Sequence, residues 1–533
     1  MRIKFIVATL LPIVVLSAIA PMYTWVWSLV IVFAIIFFIG LWDMIQVKQT
    51  LRRNYPFVAW GRYIMEDLRP KIYQYFIESD TDGTPINRIM RSMVYQRAKK
   101  DLDSVPFGTQ LDVYQEGYEW INHSITPRPL HQKYSERVIV GGKSCIQKYS
   151  SSMLNVSAMS YGSLSKNAVL ALNEAAKIGF FSHNTGEGGI SPYHLEPGGD
   201  IVWQIGTGYF GCRTEDGKFN PEKFEQAAKH EHVKMIELKL SQGAKPGHGG
   251  LLPAKKNTPE IAKIRGVEPH TTVESPPHHS AFSTPKEMME FIQELRELSG
   301  GKPVGFKLCI GAKSEFLSLC YAMYHTKILP DFITVDGGEG GTGAAPLEFI
   351  NNVGMPMLDG LSFVHDALIG FGFRQEVKII AAGKIISAFH VARAMALGAD
   401  ICNSARGMML ALGCIQSLLC NKNTCPTGIA TQDKHLMTGL DAPSKAVRVS
   451  NYHKETVDAV QDLLSAANVA SPTDIGRKHI NRRISITDIR RYDEIYPELS
   501  EGALLSSGTW PQDWRKIMQE AEELAAHSMP VSE

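Results

Sequence analysis

The fold is decided by residues 378–403, KIIAAGKIISAFHVARAMALGADICN. Short apolar runs at Lys378–Ala382 and Asp400–Asn403 are typical of buried strands, and Ala388–Leu397 between them has the pattern of a helix. Gly383 follows the first strand directly. A strand, a helix and a strand in this order predict two parallel strands joined by a helix.

The same alternation extends toward the amino terminus as far as residue 154. Further predicted strands are Leu154–Met159, Lys234–Leu240, Val304–Cys309 and Phe332–Val335, and further predicted helices are Ser165–Ile178 and Pro285–Leu298. Repeated strand and helix units over this length favour an α/β fold of the (β/α)8 TIM-barrel type. A doubly wound sheet is the alternative, and the lack of a GxGxxG motif after the first strand weakens it.

Length, charge and cysteine content exclude several classes of protein. At 533 residues the chain exceeds one average domain and suits a barrel with additions. A net charge of +1 gives no reason to expect nucleic acid as a partner. The eight unevenly spaced cysteines do not resemble a secreted disulfide framework, so a reducing compartment is expected.

The amino-terminal segment has no charged residue between Lys4 and Asp43. One helix of that length would measure about 57 Å, far more than the roughly 30 Å hydrocarbon core. We therefore predict a transmembrane hairpin with crossings at Phe5–Ala20 and Trp25–Trp42. Basic residues at both ends place both ends in the cytoplasm. A signal peptide cleaved after residues 18–20 is the alternative.

These patterns divide the chain into four predicted segments. Residues 1–45 form the transmembrane hairpin, and 46–150 form a helical linker. Residues 151–435 form the barrel, and 436–533 form a helical extension. The predicted location is the inner membrane, with the barrel on its cytoplasmic side.

Three of the eight cysteines lie close together at Cys414, Cys420 and Cys425. Thiolates at this density suit a metal centre, and the Cys-Pro pair that ends the run is typical of iron–sulfur loops. An iron–sulfur cluster with three protein ligands is favoured. Zinc held with His435 and ordinary buried cysteines are the alternatives, and Cys402 remains open as a fourth cluster ligand.

Glycine-rich loops follow several predicted strands. They occupy residues 159–163, 184–189, 242–250, 336–343, 381–383 and 403–407. Glycine lets backbone amides approach a phosphate or a flat ring closely, and the last two loops match the usual barrel site for a cofactor phosphate. With an iron–sulfur motif nearby, the loops favour a phosphorylated redox cofactor, and FMN fits best.

Lysines on or just after predicted strands form a candidate anion site. Lys239, Gln242 and Lys245 are spaced by three residues, and Lys307 lies on another strand. Such lysines either bind an anion or belong to a solvated barrel rim. Glu187 lies between glycines, where it could hydrogen-bond an amino or imino group or cap a turn.

Together these residues resemble the FMN- and 2-oxoglutarate-binding region of glutamate synthase, and the whole chain is similar to the short, membrane-anchored members of that family. The matching segments are Met159–Gly162, Gly186–Gly189, Glu237–Gly250, Ser275–His279, Gly340–Gly343 and Cys414–Gln432. The resemblance implies a (β/α)8 barrel with FMN and a 3Fe–4S cluster. It implies an oxidoreductase that reduces the imine of 2-oxoglutarate to L-glutamate.

The resemblance also implies roles for individual residues. The cluster ligands would be Cys414, Cys420 and Cys425. The FMN contacts would be Met159, Ser160, Tyr161, Gly162, Gln204, Lys307, Gly341, Thr342, Gly383, Ser404 and Ala405. Lys239 and Glu187 would be catalytic, and Lys239, Gln242, Lys245, Ser275 and His279 would bind the substrate.

Departures from the large glutamate synthases define the expected partners. The first cysteine is Cys145, so a glutaminase nucleophile at the amino terminus is not expected, and nitrogen would come from ammonia or a separate amidotransferase subunit. A ferredoxin-like or membrane-bound redox protein would donate electrons. The alternatives are a related enzyme for another acceptor or amine, such as one forming N-alkylglutamate, and a non-catalytic electron-relay subunit.

Overall fold

The computed structural model describes residues 1–101, 104–129 and 137–528. The chain divides into two compact units, Met1–Ile89 and Met90–Glu533. Residues 102–103, 130–136 and 529–533 lie outside the described part, so the predicted linker 46–150 and the predicted extension 436–533 are described only in part. The four predicted segment boundaries remain predictions.

The first unit is helical. Its helices are α1 (Arg2–Ile19), α2 (Val26–Ile45), α3 (Thr50–Asn54) and α4 (Trp60–Ile72), and a π-helical turn at Tyr73–Ile77 continues α4. At 18 and 20 residues, α1 and α2 are about 27 and 30 Å long. Both are therefore long and apolar enough to cross a membrane. The predicted pair of apolar helices is confirmed, and the membrane crossing stays a prediction.

Helices α1 and α2 pack against each other through a small residue. A Cβ atom on Gly40 would lie 2.0 Å from the ring of Phe5, so glycine lets that ring approach the backbone of α2. Asp43 near the end of α2 is buried, and Arg52 Nε (2.8 Å), Phe57 N (2.9 Å) and Trp60 Nε1 (3.0 Å) donate to its carboxylate. These three hydrogen bonds offset the cost of burying the Asp43 carboxylate.

The second unit contains the strands. They are β1 (Glu119–Ile121), β2 (Arg137–Val140), β3 (Tyr149–Ser152), β4 (Leu154–Val156), β5 (Ser182–Asn184), β6 (Asp200–Ile205), β7 (Val233–Lys239), β8 (Leu251–Leu252), β9 (Val273–Glu274), β10 (Val304–Leu308), β11 (Phe332–Asp336), β12 (Lys378–Ala382), β13 (Ile401–Ser404), β14 (Ile480–Arg483) and β15 (Ile489–Arg491).

The remaining helices lie between or after the strands, except that the first of them precedes the first strand. They are α5 (Arg88–Lys99), α6 (Lys166–Gly179), α7 (Pro192–Leu195), α8 (Pro221–Ala228), α9 (Pro259–Arg265), α10 (Pro285–Leu298), α11 (Lys313–Thr326), α12 (Leu347–Asn352), α13 (Met357–Gly370), α14 (Ala388–Ala396), α15 (Arg406–Leu412), α16 (Lys434–Thr438), α17 (Ala442–Ala466), α18 (Tyr492–Ile495) and α19 (Arg515–Ser528).

Among the described residues, eight parallel strands close into a barrel in the order β4, β5, β6, β7, β10, β11, β12 and β13, and β13 pairs with β4. This closure confirms the predicted (β/α)8 barrel and excludes the doubly wound alternative. The structure adds strands β5 and β6, which the sequence patterns did not predict. Strand β5 is Ser-His-Asn, so it has no apolar run; Ser182 and Asn184 hydrogen-bond to Asn155 and Glu237 inside the barrel, and His183 is buried.

The amino-terminal ends of the barrel strands are closed by the antiparallel pair β2 and β3. Val140 and Tyr149 from this pair pack with Val202, Met235 and Phe332 from the barrel in one buried cluster. The opposite ends, where the strands finish, carry the glycine-rich loops. Any ligand site of the barrel is therefore expected at the carboxyl ends.

The flanking segments are less helical than predicted. Strand β1 in the predicted linker pairs with β14, which pairs with β15, and β14 and β15 lie in the basic run Arg477–Arg491. Arginines of this run find acidic partners, as Arg477 does in Asp366 at 2.6 Å. A basic run predicted in a helical extension thus forms a small sheet, in which Arg482 lies 4.0 Å from Glu119 and Arg490 lies 3.1 Å from Asp488.

Candidate active site

A buried carboxylate lies inside the barrel near the carboxyl ends of the strands. Glu237 on β7 is 1% exposed. Its oxygens accept hydrogen bonds from Asn184 Nδ2 (2.8 Å), Gln204 Nε2 (2.6 Å) and Thr334 Oγ1 (2.7 Å). We call these four residues the polar layer. Both oxygens of the carboxylate have donors, as burial of a charge requires.

Lys239 lies two residues further along β7, so its side chain faces the same side as Glu237. Its Nζ is 2.9 Å from Glu187 Oε2 and donates to Gln242 Oε1 at 2.7 Å. Lys245 Nζ donates to Gly249 O at 2.7 Å and interacts electrostatically with Glu187. The structure therefore brings Lys239, Glu187, Gln242 and Lys245 together at the barrel mouth.

The charges in this group influence one another. Burial opposes ionisation of Glu187, but the positive charges of Lys239, Arg265 and Lys245 outweigh it, and the pKa of Glu187 lies below its ordinary value. Burial lowers the pKa of Lys245, and the charge of Glu187 opposes that change. Glu187 is therefore an ionised hydrogen-bond acceptor at neutral pH.

Lys307 on β10 lies directly opposite Lys239 in the sheet register. Its Nζ is 3.2 Å from Asp336 Oδ2, which also accepts from Gly243 N at 3.0 Å. Burial acts to lower the pKa of Lys307, but Asp336 and Glu237 outweigh it and raise the pKa above the ordinary lysine value. Lys307 is thus a permanent positive charge, 5% exposed, on the strand beside that of Lys239.

The two remaining predicted substrate residues have different surroundings. A Cβ atom on Gly250 would lie 3.1 Å from Ser275 Oγ and 2.5 Å from Glu187 Oε1, which puts Ser275 beside that carboxylate. His279 Nδ1 is 3.0 Å from the Tyr209 hydroxyl, and Nε2 is 2.8 Å from Lys239 O. Burial lowers the pKa of His279 to about 4, so the ring is neutral. His279 holds the end of β7, and any effect on substrate would act through Lys239.

The loop between β4 and α6 carries four of the predicted cofactor residues. Met159 is buried, and its backbone N donates to the end of β5. Ser160 Oγ bonds within the loop, and the Tyr161 hydroxyl donates to Glu260 Oε2 at 2.7 Å. Gly162 has a φ of +104°, a conformation that favours glycine. The loop therefore offers backbone groups to a ligand, while the Tyr161 hydroxyl has a partner of its own.

The other predicted cofactor residues come from the loops after β11, β12 and β13. Arg406 links two of these loops, since it donates to Thr342 O at 3.0 Å, and a Cβ atom on Gly341 would lie 2.9 Å from its Nε. The Ser404 hydroxyl donates to Ile385 O at 2.6 Å, and Ala405 follows it. Gly341, Thr342, Ser404 and Ala405 are thus joined at one side of the mouth.

The loop after β12 has an unusual backbone. Gly383 has a φ of +137° and the next residue, Lys384, has a φ of +48°. Gly383 also packs closely on the loop after β11, since a Cβ atom there would lie 3.3 Å from Gly337 N. Two successive residues in sparsely populated conformations are typical of loops that hold a ligand.

The cysteine loop (residues 414–426) follows α15. Cys414 and Cys420 are half-buried and Cys425 is buried, and the thiols of Cys420 and Cys425 act electrostatically on that of Cys414. Three residues of this loop, Gln416, Leu418 and Asn423, have positive φ. The described chain has only twelve such residues other than glycine. The loop is therefore held in a strained conformation that brings the three thiols near one another.

The sulfur of Cys425 has the surroundings of a thiolate. Burial opposes its ionisation, but hydrogen bonds from the Thr427 side chain and from the backbone of Ala430, Thr427 and Ile429 outweigh it, so the pKa of Cys425 lies below its ordinary value. Burial alone raises the pKa of Cys402 to about 12, and Cys402 lies within β13. Burial also raises the pKa of Cys414, which unlike Cys402 lies in the cysteine loop.

The cysteine loop, as the structure describes it, forms no preformed site for a single metal ion such as zinc. Two thiolates on one zinc ion lie roughly 3.8 Å apart, because each Zn–S bond is about 2.3 Å and the angle is tetrahedral. In the part of the chain that the structure describes, no three His, Cys, Asp or Glu side chains are arranged to hold one metal ion. In a cluster, by contrast, each cysteine binds its own iron, so wider spacing of the sulfurs is tolerated.

Three residues of this region were missed by the sequence analysis. Glu237 could have been found, because it lies two residues before Lys239 and shares its face of β7. Asp336 could have been found as the last residue of a buried strand. Lys256, which lies beside the cysteine loop, could not be predicted from the sequence, because it ends a short 3-10 turn outside any regular strand or helix pattern.

Comparison with known proteins decides the family. The model of the conserved region in glutamate synthase matches residues 94–470, which include every strand of the barrel and the cysteine loop. The chain belongs to the glutamate synthase family. The resemblance drawn from the strand-end lysines and the cysteine run is thereby confirmed at the level of the family.

Two curated relatives of this glutamate synthase family member differ in how much they share with it. It is 36% identical over 478 residues to the glutamate synthase large subunit-like protein YerD of Bacillus subtilis. This alignment covers 82% of this chain and 90% of YerD. It is 36% identical over 319 residues to the archaeal glutamate synthase [NADPH] of Methanocaldococcus jannaschii, covering 59% of each chain. The chain thus spans less than two thirds of the archaeal enzyme.

Solved structures with a similar course of the chain include a variant of mandelate oxidase. That likeness covers 79% of this chain and 99% of the oxidase, with a TM-score of 0.42 and 15% sequence identity.

Proposed function

We propose that this chain is a glutamate synthase-like oxidoreductase that reduces the imine of 2-oxoglutarate to L-glutamate with FMN and a 3Fe–4S cluster. The observation that carries the proposal is the group of Lys239, Glu187, Gln242 and Lys245 at the mouth of a barrel that also carries the cysteine loop. The overall reaction is 2-oxoglutarate + NH4+ + 2 electrons + 2 H+ giving L-glutamate and water. Nitrogen and electrons come from outside the chain.

The residues at the mouth fit FMN in charge and in backbone shape. Lys307 is a buried, permanent positive charge, and reduced flavin and its phosphate are negatively charged. The left-handed backbone at Gly383 and Lys384 lies in the loop after the seventh barrel strand, the usual phosphate position of such barrels. Met159, Gln204, Gly341 and the other predicted cofactor residues would complete this site.

The cysteine loop fits an iron–sulfur cluster in its donor chemistry. Cluster sulfurs are stabilised by hydrogen bonds, and Cys425 already receives several backbone N–H donors. Cys414, Cys420 and Cys425 would hold the cluster. When bound, FMN supplies hydride and the cluster supplies electrons one at a time.

The chain's own residues would bind and orient the substrate. Lys239 and Lys245 would pair with the carboxylates of the 2-oxo acid, at the cost of the bonds that Lys239 makes to Glu187 and Gln242. The ionised Glu187 would accept a hydrogen bond from the iminium N–H, so it favours the protonated and more electrophilic imine. Lys239 is also placed to give a proton.

The amino-terminal helices would anchor the protein. We propose that α1 and α2 cross the cytoplasmic membrane as a hairpin with both ends on the cytoplasmic side, as the basic residues around them favour. Carbonate extraction of membranes tests this directly, because an integral protein stays in the pellet. An amino terminus that sequencing shows to begin after residue 20 would support the signal peptide instead.

The function is tested with the purified full-length protein. Iron and flavin are measured first, and the protein is then incubated anaerobically with reduced ferredoxin, 2-oxoglutarate and ammonia while glutamate is measured. Lys239→Met is expected to lower glutamate formation at least 100-fold. Lys234→Met on the outer face of the same strand is the matched control, because Lys234 makes only a 3.7 Å contact with Asp200.

Each alternative predicts a different result. Product formed only from small amines, and not from ammonia, would support an N-alkylglutamate-forming enzyme. Bound iron and flavin that are reduced by the donor but not reoxidised by 2-oxoglutarate with any amine would support an electron-relay subunit. Protein without flavin or iron would contradict the proposal.

A further inference from the structure

A buried lysine lies between the cysteine loop and the loop that joins β4 to α6. Lys256 is 3% exposed, and its Nζ donates to Ser163 O at 2.9 Å and to Ala430 O at 3.0 Å. Ser163 directly follows the predicted flavin contacts, and Ala430 lies five residues after Cys425. The ammonium group thus touches both the segment that would hold the flavin and the segment that would hold the cluster.

The surroundings of this ammonium group contain no ordinary counter-charge. In the described part of the chain, both of its hydrogen-bond acceptors are neutral carbonyls and no carboxylate pairs with it. Burial lowers the pKa of Lys256 to about 8, and the side chains of Cys420 and Cys425 oppose this change. Ala430, whose carbonyl accepts from Lys256, also directs its backbone N–H at the Cys425 sulfur, so the ammonium group lies beside that sulfur. A buried lysine without a carboxylate is rare. The cysteine pair is therefore its electrostatic partner.

The need to hold the two segments together does not by itself explain why a lysine occupies position 256. Gln432 Nε2 already donates to Gly162 O at 3.1 Å and Leu164 O at 2.8 Å, and Ser165 N donates to Ile429 O at 2.8 Å. These bonds join the same two loops without a charge. Lys256 adds a positive charge that a neutral amide would not.

The local structure fixes the position of Lys256. It ends a single 3-10 turn at Ala254–Lys256, and the next residue, Asn257, is anchored by its side chain to Glu268 O (2.7 Å) and Thr271 O (3.1 Å). Its neighbour Lys255 is exposed. Adjacent lysines thus have opposite environments, which gives the chain a matched control.

We infer that Lys256 is a positioning residue that sets the reduction potential of the metal centre held by the cysteine loop. The inference rests on the proposed function, because it assumes that Cys414, Cys420 and Cys425 hold an iron–sulfur cluster. Reduction adds one electron, and hence one negative charge, to the centre. A fixed positive charge beside Cys420 and Cys425 stabilises that reduced form and raises the potential.

The test compares full-length Lys256→Met, Lys256→Arg and Lys255→Met with the unmodified protein. The midpoint potential of the centre is measured by a redox titration followed by electron paramagnetic resonance, without substrate turnover. Lys256→Met is expected to lower the midpoint potential by at least about 59 mV, which corresponds to a tenfold change in the one-electron equilibrium constant. Lys256→Arg is expected to retain most of the potential, and Lys255→Met all of it.

A further variant separates charge from clamping if Lys256→Met loses iron. Gln432→Leu removes two hydrogen bonds between the loops without removing a charge. The inference is supported if Lys256→Met loses iron while both Lys256→Arg and Gln432→Leu retain it. Equal loss in Lys256→Met, Lys256→Arg and Gln432→Leu overturns it, and so does an unchanged potential in an iron-loaded Lys256→Met. An unmodified protein that binds no iron would instead contradict the proposed function.

Discussion

The substitution Glu187→Gln tests how the barrel mouth handles charge. Glu187 Oε2 lies 2.9 Å from Lys239 Nζ, and Gln242 Oε1 takes a second bond of the same ammonium at 2.7 Å. A substrate carboxylate that binds the Lys239 ammonium group must therefore compete with the carboxylate of Glu187. Removing the negative charge of Glu187 is expected to tighten binding of 2-oxoglutarate while it slows reduction.

The size of the effect follows from the distances. A substrate carboxylate beside Lys239 would lie about 6 Å from Glu187, where two unit charges repel by roughly 2.8 kcal/mol at an effective dielectric constant of about 20. The Glu187 side chain is 20% exposed. Solvent should therefore reduce the repulsion to about 1.4 kcal/mol, so Glu187→Gln should bind 2-oxoglutarate roughly tenfold more tightly. Lys239→Met should lose about 1.5–3 kcal/mol, the worth of a hydrogen bond to a charged group.

The assay is isothermal titration of 2-oxoglutarate into the oxidised full-length protein, without an electron donor. Glu196→Gln, which changes an exposed carboxylate nearby in the chain, is the control and should bind like the unmodified protein. Glutamate formation by Glu187→Gln should fall despite the tighter binding, because the iminium loses its charged acceptor. Tenfold weaker binding by Glu187→Gln would show that Glu187 holds the substrate directly and would refute the reasoning from charge competition.

Three further predictions concern the cluster, the polar layer and pH. Cys425→Ser should lose most of the iron, whereas Cys402→Ser should keep it, because Cys425 lies in the cysteine loop and its sulfur receives several hydrogen bonds, while Cys402 is buried within β13; iron analysis of both proteins checks this. Glu237→Ala should lower the free energy of unfolding by about 4 kcal/mol, because it leaves buried donors without an acceptor. Glu237→Gln should cost only about 1–2 kcal/mol, because the Thr334 hydroxyl can turn to accept; pulse proteolysis in urea compares the two. Since the pKa of Glu187 is depressed in the folded state, its ion pair should stabilise the protein fully above the ordinary value of 4.5 and lose that effect as the pH falls through the lower folded value. The stability difference between the unmodified protein and Glu187→Gln, measured from about pH 7 downward, checks this sign.

The barrel could be predicted because six of its eight strands contain short apolar runs that alternate with helical segments. Lys378–Ala382 was predicted with its observed bounds, as was the helix Pro285–Leu298. Strand β5 escaped prediction because its side chains are polar, and Ser182 and Asn184 find their partners Asn155 and Glu237 only when the barrel closes. Hydrophobic periodicity indicates which side of a segment is buried, so it does not predict a strand whose buried side chains are polar.

The site could be predicted where one short segment contains several of its members. Lys239, Gln242 and Lys245 were predicted as substrate-binding residues in this way, and the structure places them together. The pairing of Lys239 with Glu187, from the loop after another strand, depends on barrel closure. Lys256 also reaches Ala430, just after the cysteine loop, only through the three-dimensional path of the chain. Residues that act across distant segments leave no local pattern.

The acidic side chains of the mouth explain how two lysines can occupy opposing positions. Lys239 and Lys307 are register partners on adjacent strands, and like charges in that arrangement destabilise a sheet. Each has its own carboxylate, Glu187 at 2.9 Å and Asp336 at 3.2 Å, and Glu237 lies buried beneath them. The cations are therefore held in place before any ligand arrives, so an anionic substrate or cofactor would not have to order them. Because ordering flexible lysines is a large part of the cost of binding an anion, the carboxylates that compete with the ligand also prepare its site.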